Sequence, residues 1–463
     1  MTTSHITGQS SQSNEIALST AKQETLTGRS RVLLAVFVFS LSLTSYLQSA
    51  ARQGILQAPP TNGGDQDSYE RLGYNLACGL GFGYCPTDTE ILVGEREPAP
   101  TTSCEADCEP EDFMPTAYRP PGFPLLVAAV YSVSPLNYFL IRLINCLCCA
   151  VAVAAVAVVF ARRVSLTSGI LAGLLCSIDP RLREFAGTFL TENTATLAFS
   201  LFAISLSWCL SSKTTRSATV CGLALSVLVL IRSFYVAWYP FLWILAAAVL
   251  PFRMPPSNDS RRSRWQPLFA FCIASLLLTT PWWIRNCLIL DAMMPTGTQG
   301  GIGIADGFSD SAMKNFGSWT SQTADRIAAE IRKDPQMQNL SPIEFEKEHS
   351  RRGSSAARIW MREHASDLPQ LTWWKLCRLW ECGSVLHGGL FVCMLAGMFR
   401  TRSEMLSRVM FLLLLLNSLT VMATYHTYER FMTPFRPLVH GFAACGIQWC
   451  FALLLRLFRK TTK

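Results

Sequence analysis

Charge is scarce in this sequence. Asp, Glu, Lys and Arg supply only 16% of the 463 residues while hydrophobic residues supply 50%, whereas soluble domains carry roughly 25% charge. A water-soluble globule is therefore excluded. Glycine and proline are also modest, 28 and 24 beside 27 Phe and 12 Trp, which excludes a fibrous or low-complexity chain. The six His are scattered, and no spacing of His and Cys suits a zinc site. No solenoid period is present, nor the paired broken helices that mark many transporters. The formal charge of +8 does not make a nucleic-acid binder, because the cations punctuate hydrophobic runs instead of sharing one soluble face. Cysteine, at 17 residues, is plentiful. Most of it, including Cys146, Cys148, Cys149, Cys176, Cys209, Cys221, Cys272, Cys393, Cys445 and Cys450, lies inside apolar stretches and reads as small buried hydrophobes.

What is present is a series of apolar runs. The first covers Val32 to Leu47 behind Lys22, Arg29 and Arg31, so the positive-inside rule puts the N-terminus in the cytoplasm. Further runs lie near 124–136, 138–160, 166–178, 190–210, 217–231, 234–250, 266–283, 384–399, 405–424 and 437–458. Several are shorter than the ~20 residues that cross a bilayer. The basic clusters at Arg162 and Arg163, Lys213 and Arg216, Arg261 to Arg264, Arg400 to Arg408 and Arg459 to Lys463 can all sit inside. That requires the 124–136 run to lie on the membrane surface, and otherwise the Arg162 pair faces out. The expectation is an all-α polytopic membrane protein with about ten to eleven membrane helices and two extracytoplasmic loop regions. Its parts are a disordered cytoplasmic tail over 1–30, an N-terminal transmembrane module over 31–284 that includes an outer loop at 51–123, an outer loop over 285–382, and C-terminal transmembrane helices over 383–463.

The first outer loop holds twelve acids against Arg52, Arg71, Arg96 and Arg119, a net charge of −8. Within it, Asp65 and Asp67 precede Tyr69, Leu72, Leu76 and Leu80 at helical spacing. The acidic pair reads as a solvated turn, as a divalent-cation site, or as a general base for a substrate emerging from lipid. Arg119 opens RPPGFP, whose prolines stiffen the backbone. It suits a lipid phosphate or an interfacial anchor. Glu192 and Arg232 interrupt apolar helices, which is costly unless they are paired or line a cavity. Arg285 and Asn286 close another run, and Tyr428, Glu429 and Arg430 follow a later one. These charges gather on one membrane face. The second outer loop carries GTQGGIGIADG and two helical segments near 321–333 and 342–363. The second of these segments reads as a solvated helix resting on the membrane.

In order, this pattern resembles the GT-C superfamily of polyprenyl-phosphate-sugar glycosyltransferases, particularly bacterial members akin to aminoarabinose transferases and protein mannosyltransferases. The resemblance runs through Asp65 and Tyr69, LACGLGFG, RPPGFP, DP at 179–180, TE at 191–192, WWIRN at 282–286 and ERFMTPFRP. It implies a GT-C-like fold and hexosyl or pentosyl transfer, with inversion, to an extracytoplasmic lipid, glycan or protein acceptor. It also implies a polyprenyl-phosphate-sugar donor drawn from membrane lipid and residence in a bacterial inner membrane, the active site outside. Carried over by position, Asp65 is the base and Glu192 the second carboxylate. Arg119 is the cation before the double proline, and the chemistry of a departing phosphate makes Arg119, Arg285 and Arg430 candidates for holding it. Gln66 stands where many relatives have Glu, which leaves Asp67 open as a catalytic candidate. Tyr69, Arg232, Asn286, Tyr428 and Glu429 complete the candidate substrate contacts.

Two alternatives remain at this level: a transporter or flippase of a lipid-linked saccharide, and a structural membrane protein. No cofactor is required, although a divalent cation is a candidate at Asp65 and Asp67. In an oxidising compartment Cys104 and Cys108 would pair with Cys78 and Cys85, and otherwise all four are free thiols.

Overall fold

The computed structural model describes residues 27–60, 64–86, 88, 112–251, 261–381, 385–425 and 428–461. The fold is an all-α bundle of the membrane-spanning kind. Among the described residues five helices are long and apolar enough to cross a bilayer: α1 (Gly28–Arg52), α4 (Tyr138–Arg163), α7 (Glu192–Ser212), α18 (Met405–Ala423) and α19 (Arg436–Thr461). A sixth crossing results if α10 (Arg261–Leu277) and α11 (Thr279–Leu290), bent by 46°, count as one. Five apolar segments are shorter: α3 (Gly122–Tyr131), α5 (Leu166–Ile178), α8 (Thr215–Ile231), a 3₁₀ turn joined to α9 (Tyr239–Val249), and α17 (Val385–Arg400). Phe241, Ile244, Phe269, Ile273, Val392, Phe399 and Phe451 stand exposed along the outer faces. In water these rows would be a liability, whereas in lipid they are the solvated surface.

Pairings at the two ends of the bundle give each helix a direction. At one end Arg163 meets Glu404 at 3.3 Å, Ser168 donates to Gln448, and Lys213 donates to the Val249 carbonyl. At the other end Arg142 donates to the Gly187 carbonyl, Arg436 to Asp179, and Arg430 to Glu192. The basic clusters thus share one end and the candidate site residues the other, separated by a helix such as α7, ~32 Å long at 1.5 Å per residue. Both α1 and α4 meet the site end where the chain passes between them. Helix α3 therefore adds no crossing, and its ten residues span only ~15 Å, half of a bilayer core.

Two short insertions cover the site end. Helix α2 (Asp65–Ala77) packs on α3, Tyr69 meeting Phe123 edge to face at 5.6 Å. It stops before Leu80, because Gly79 and Gly81 turn the backbone to φ +81° and +117°. A hairpin pairing Gly83–Tyr84 with Met114–Pro115 follows.

The second insertion is a helical cap. It consists of α12 (Gln299–Gly307), α13 (Asp310–Lys314), α14 (Gln322–Lys333), α15 (Pro342–Glu363) and α16 (Leu368–Leu379), with α6 (Pro180–Ala186) lying nearby between spans. Helix α15 does not rest on the membrane as a solvated rod. Its Ala357 and Trp360 enter a small core with Phe308, Ala312 and Leu371, and Gly353 approaches Gly301 so closely that a Cβ would meet the Gly301 carbonyl at 2.7 Å.

Candidate active site

Five chain segments deliver charge to one point. Asp65 is the first residue of α2, where unpaired amides favour a carboxylate. Glu192 opens α7, Arg232 caps the end of α8, Arg430 lies in a 3₁₀ turn between α18 and α19, and Arg119 stands just before Pro120 and Pro121. The Asp65 carboxylate binds Arg119 at 2.6 Å through one oxygen and Arg430 at 2.8 Å through the other. Arg430 also donates to Glu192 Oε1 at 2.5 Å, and Arg232 approaches that oxygen at 3.6 Å while donating to the Arg430 carbonyl at 3.2 Å. Glu192 is fully buried, and its Oε2 meets no hydrogen-bond partner among the described residues.

The aromatic surroundings fix the cations. The Arg119 guanidinium lies over Tyr118 at 4.7 Å and over Tyr69 at 5.3 Å, and its Nε donates to Ser68 Oγ. Arg232 lies over Phe431 at 5.5 Å. Burial alone would raise the Asp65 pKa, but Arg119 and Arg430 outweigh it and hold the carboxyl well below the usual range. Burial pushes the Tyr69 hydroxyl up to about 12, so it stays protonated.

A cavity of about 420 Å³ opens beside this cluster. Asp65, Tyr69, Arg119, Arg232 and Arg430 line one side, and Gln299, Gly303, Asp306, Trp319 and Tyr425 line the other. Glu192 stands one layer behind Arg430 and does not reach the void. Three guanidiniums face two carboxylates in the cluster, leaving one positive charge in excess.

Two solved structures are similar in fold. One is the Archaeoglobus fulgidus oligosaccharyltransferase in its apo form, at TM-score 0.49 and 13% identity over 94% of this chain and 52% of that one. The other is ArnT from Cupriavidus metallidurans bound to undecaprenyl phosphate, at TM-score 0.38 and 13% identity over 89% of this chain and 77% of that one. The chain thus spans about half the length of the oligosaccharyltransferase. No protein-family model matches the sequence, and no curated protein matches it.

Some expected residues stand elsewhere. Asp67 is buried in α2 and does not line the cavity, because residues two apart on a helix point to different faces. The two acids therefore do not form a paired site. With both Asp65 oxygens held by arginines, a shared divalent cation has no ligand pair here. Among the described residues no group of three or more His, Cys, Asp or Glu is placed to hold a metal.

Arg285 also lies outside the cavity. It donates to the carbonyls of Thr116 and Phe82 at 2.6 and 2.8 Å and stacks on Trp282, tying the first insertion to α11. Its guanidinium is thus held by two backbone carbonyls and an indole. Asn286 donates to the Pro295 carbonyl in the same joint. The side chains of Tyr428 and Glu429 lie outside the described residues, as do Cys104 and Cys108. Cys85 is disulfide-bonded. Asp306 and Trp319 were not singled out from sequence. The only hint was the acid that ends the Gly-rich stretch.

Proposed function

We propose that the protein is a membrane glycosyltransferase that takes a sugar from a polyprenyl-phosphate donor, with the cavity as its active site. The observation that carries this reading is the convergence of the Arg119, Arg232 and Arg430 guanidiniums on one cavity, a donor set suited to the singly charged phosphodiester of a polyprenyl-phosphate sugar. The apolar outer faces of the bundle suit a polyprenyl tail. The resemblance of the sequence motifs to the GT-C superfamily points the same way.

Arg119, Arg430 and Arg232 receive the phosphate, which competes with Asp65 for the first two. As those guanidiniums turn to the phosphate, the force that depresses the Asp65 pKa weakens and its carboxylate becomes a better base. Asp65 then takes the proton of an acceptor hydroxyl as that oxygen attacks the anomeric carbon. The bond from that carbon to the phosphate oxygen breaks, its electron pair leaves on the phosphate, and the three arginines stabilise the departing charge. Attack opposite the phosphate inverts the anomeric centre. Glu192 orients Arg430 and Arg232 from behind. With the basic clusters inside, the site opens on the extracytoplasmic face of a bacterial inner membrane, where it meets a lipid, glycan or protein acceptor.

The test is transfer of a radiolabelled sugar in proteoliposomes, with undecaprenyl-phosphate sugars on the site side and total envelope extract as acceptor. A new acid-stable glycosidic bond is the expected result. Movement of the lipid across the bilayer with no new bond would identify a flippase instead.

A further inference from the structure

The wall facing Asp65 is built around α12, whose glycines let it press against the end of α18. A Cβ on Gly303 would meet the Tyr425 ring at 2.7 Å, and one on Gly307 would meet the Thr424 carbonyl oxygen at 2.2 Å. This approach brings Asp306 to the cavity, where it is 1% exposed. Its Oδ1 accepts from the Ala324 amide at 2.9 Å in the first turn of α14. That bond is the structural part of the residue's job, and an amide or hydroxyl side chain could perform it. Its Oδ2 is buried with no hydrogen-bond partner among the described residues, the Thr323 amide and the Trp319 indole acting on the carboxyl as a whole, and an unpaired buried oxygen costs free energy.

The neighbours of Asp306 describe what is missing. Gln299, Trp319 and Tyr425 line the same part of the cavity. They offer amide and hydroxyl hydrogen-bonding groups beside an indole ring. A carboxylate oxygen without a donor, next to an aromatic ring, suits a polyhydroxylated ring with an apolar face. Burial pushes the Asp306 carboxyl up to about 7, against the amides of Ala324 and Thr323 and the Trp319 indole, with Asp325 adding to the rise. A hydroxyl donor would relieve that burial. Tyr118 lies between the two walls and feels both Asp65 and Asp306, after burial and Arg119.

We infer that Asp306 is a substrate-recognition residue whose Oδ2 accepts a hydrogen bond from a hydroxyl of a sugar held between Asp65 and the cap. The assignment rests on the glycosyl-transfer reading above. The sugar is either that of the donor, tethered to the phosphate on the arginines, or one carried by the acceptor. Both offer the same hydroxyl chemistry. The transfer step needs no proton from Asp306, so its contribution is to affinity and to the choice of sugar.

The experiment compares the wild type with Asp306→Asn, which keeps an oxygen for the Ala324 amide but turns an N–H₂ group toward the cavity. Asp306→Ala serves as a second variant, and thermal unfolding checks both. Binding to protein in nanodiscs is measured for undecaprenol, undecaprenyl phosphate, and undecaprenyl phosphate bearing glucose, mannose or arabinose, followed by turnover with envelope extract. The expected result is a loss of tenfold or more with the sugar the wild type prefers and no change with bare undecaprenyl phosphate. Unchanged donor binding with a tenfold higher acceptor KM would place the hydroxyl on the acceptor. Wild-type values for both quantities in both variants would overturn the role of Asp306 while leaving phosphate recognition standing. Equal wild-type affinity for undecaprenol and undecaprenyl phosphate would overturn the reading on which the inference rests.

Discussion

Two buried charge clusters lie at the same end of the bundle, and they differ in what they leave over. In the second, Asp179 Oδ2 accepts from Arg436 at 2.8 Å and from His440 at 2.7 Å. Glu381 accepts from the other arm of Arg436 at 2.8 Å and binds His387 at 2.5 Å. This network joins the start of α6, the end of α16, α17 and α19, around a void of about 50 Å³. It is a tight knot: its acids and bases bind one another, Arg436 Nε and His440 Nδ1 alone in it having no hydrogen-bond partner among the described residues, and the void is too small for a sugar. The cluster around Asp65 also joins carboxylates to guanidiniums, but it sets three guanidiniums against Asp65 and Glu192 and lies beside a cavity eight times larger. Buried charge is common to both networks, and what sets the one around Asp65 apart is the cavity beside it.

Substitutions should separate the two clusters. The largest effect on turnover is expected from Asp65→Asn, which keeps the shape and loses the base. Transfer should fall by about 10² to 10⁴ with no loss of donor affinity, because the phosphate no longer competes with a carboxylate for Arg119 and Arg430, and turnover near the wild-type value would remove Asp65 from its role. The largest effect on folding belongs to the tight knot. Asp179→Ala removes the acceptor of one arm of Arg436 and of His440 and should destabilise by about 3 to 5 kcal/mol, visible as a lower thermal midpoint, with specific activity of the surviving folded protein preserved. If Asp179→Ala instead abolished activity at unchanged stability, the division between knot and site would fail.

The smallest effect is expected from Arg119→Lys, which keeps charge but loses the planar fork over Tyr69 and Tyr118. Donor kcat/KM should drop several-fold, and Arg119→Ala should cost about 2 to 4 kcal/mol in transition-state stabilisation. Wild-type kinetics in Arg119→Ala would show that Arg430 and Arg232 carry the phosphate without it.

The sequence made the first side of the site readable because charge inside apolar runs is conspicuous. Glu192, Arg232 and Arg430 break hydrophobic patterns, and two prolines advertise Arg119. The helical legs and the basic clusters were legible for the same reason, since hydropathy and positive charge follow the bilayer directly. Three-dimensional placement was not. Arg285 sits in WWIRN at a span end just as Arg119 precedes its own, and only the fold shows that Arg285 is spent on the carbonyls of Thr116 and Phe82. Asp67 looked like the partner of Asp65 until the helix turned it away. Asp306 ends a glycine-rich stretch with no apolar period, and it reaches the cavity only because the Gly303 and Gly307 contacts fold the cap onto α18.

The most direct test of the central claim is equilibrium binding of undecaprenyl phosphate against undecaprenol in nanodiscs, for the wild type, Arg430→Gln and Arg285→Gln. The account predicts at least a tenfold preference for the phosphate in the wild type. Arg430→Gln should lose most of that preference, and Arg285→Gln should keep it. Equal affinity for phosphate and alcohol in the wild type, or a preference that survives Arg430→Gln and vanishes in Arg285→Gln, would contradict it.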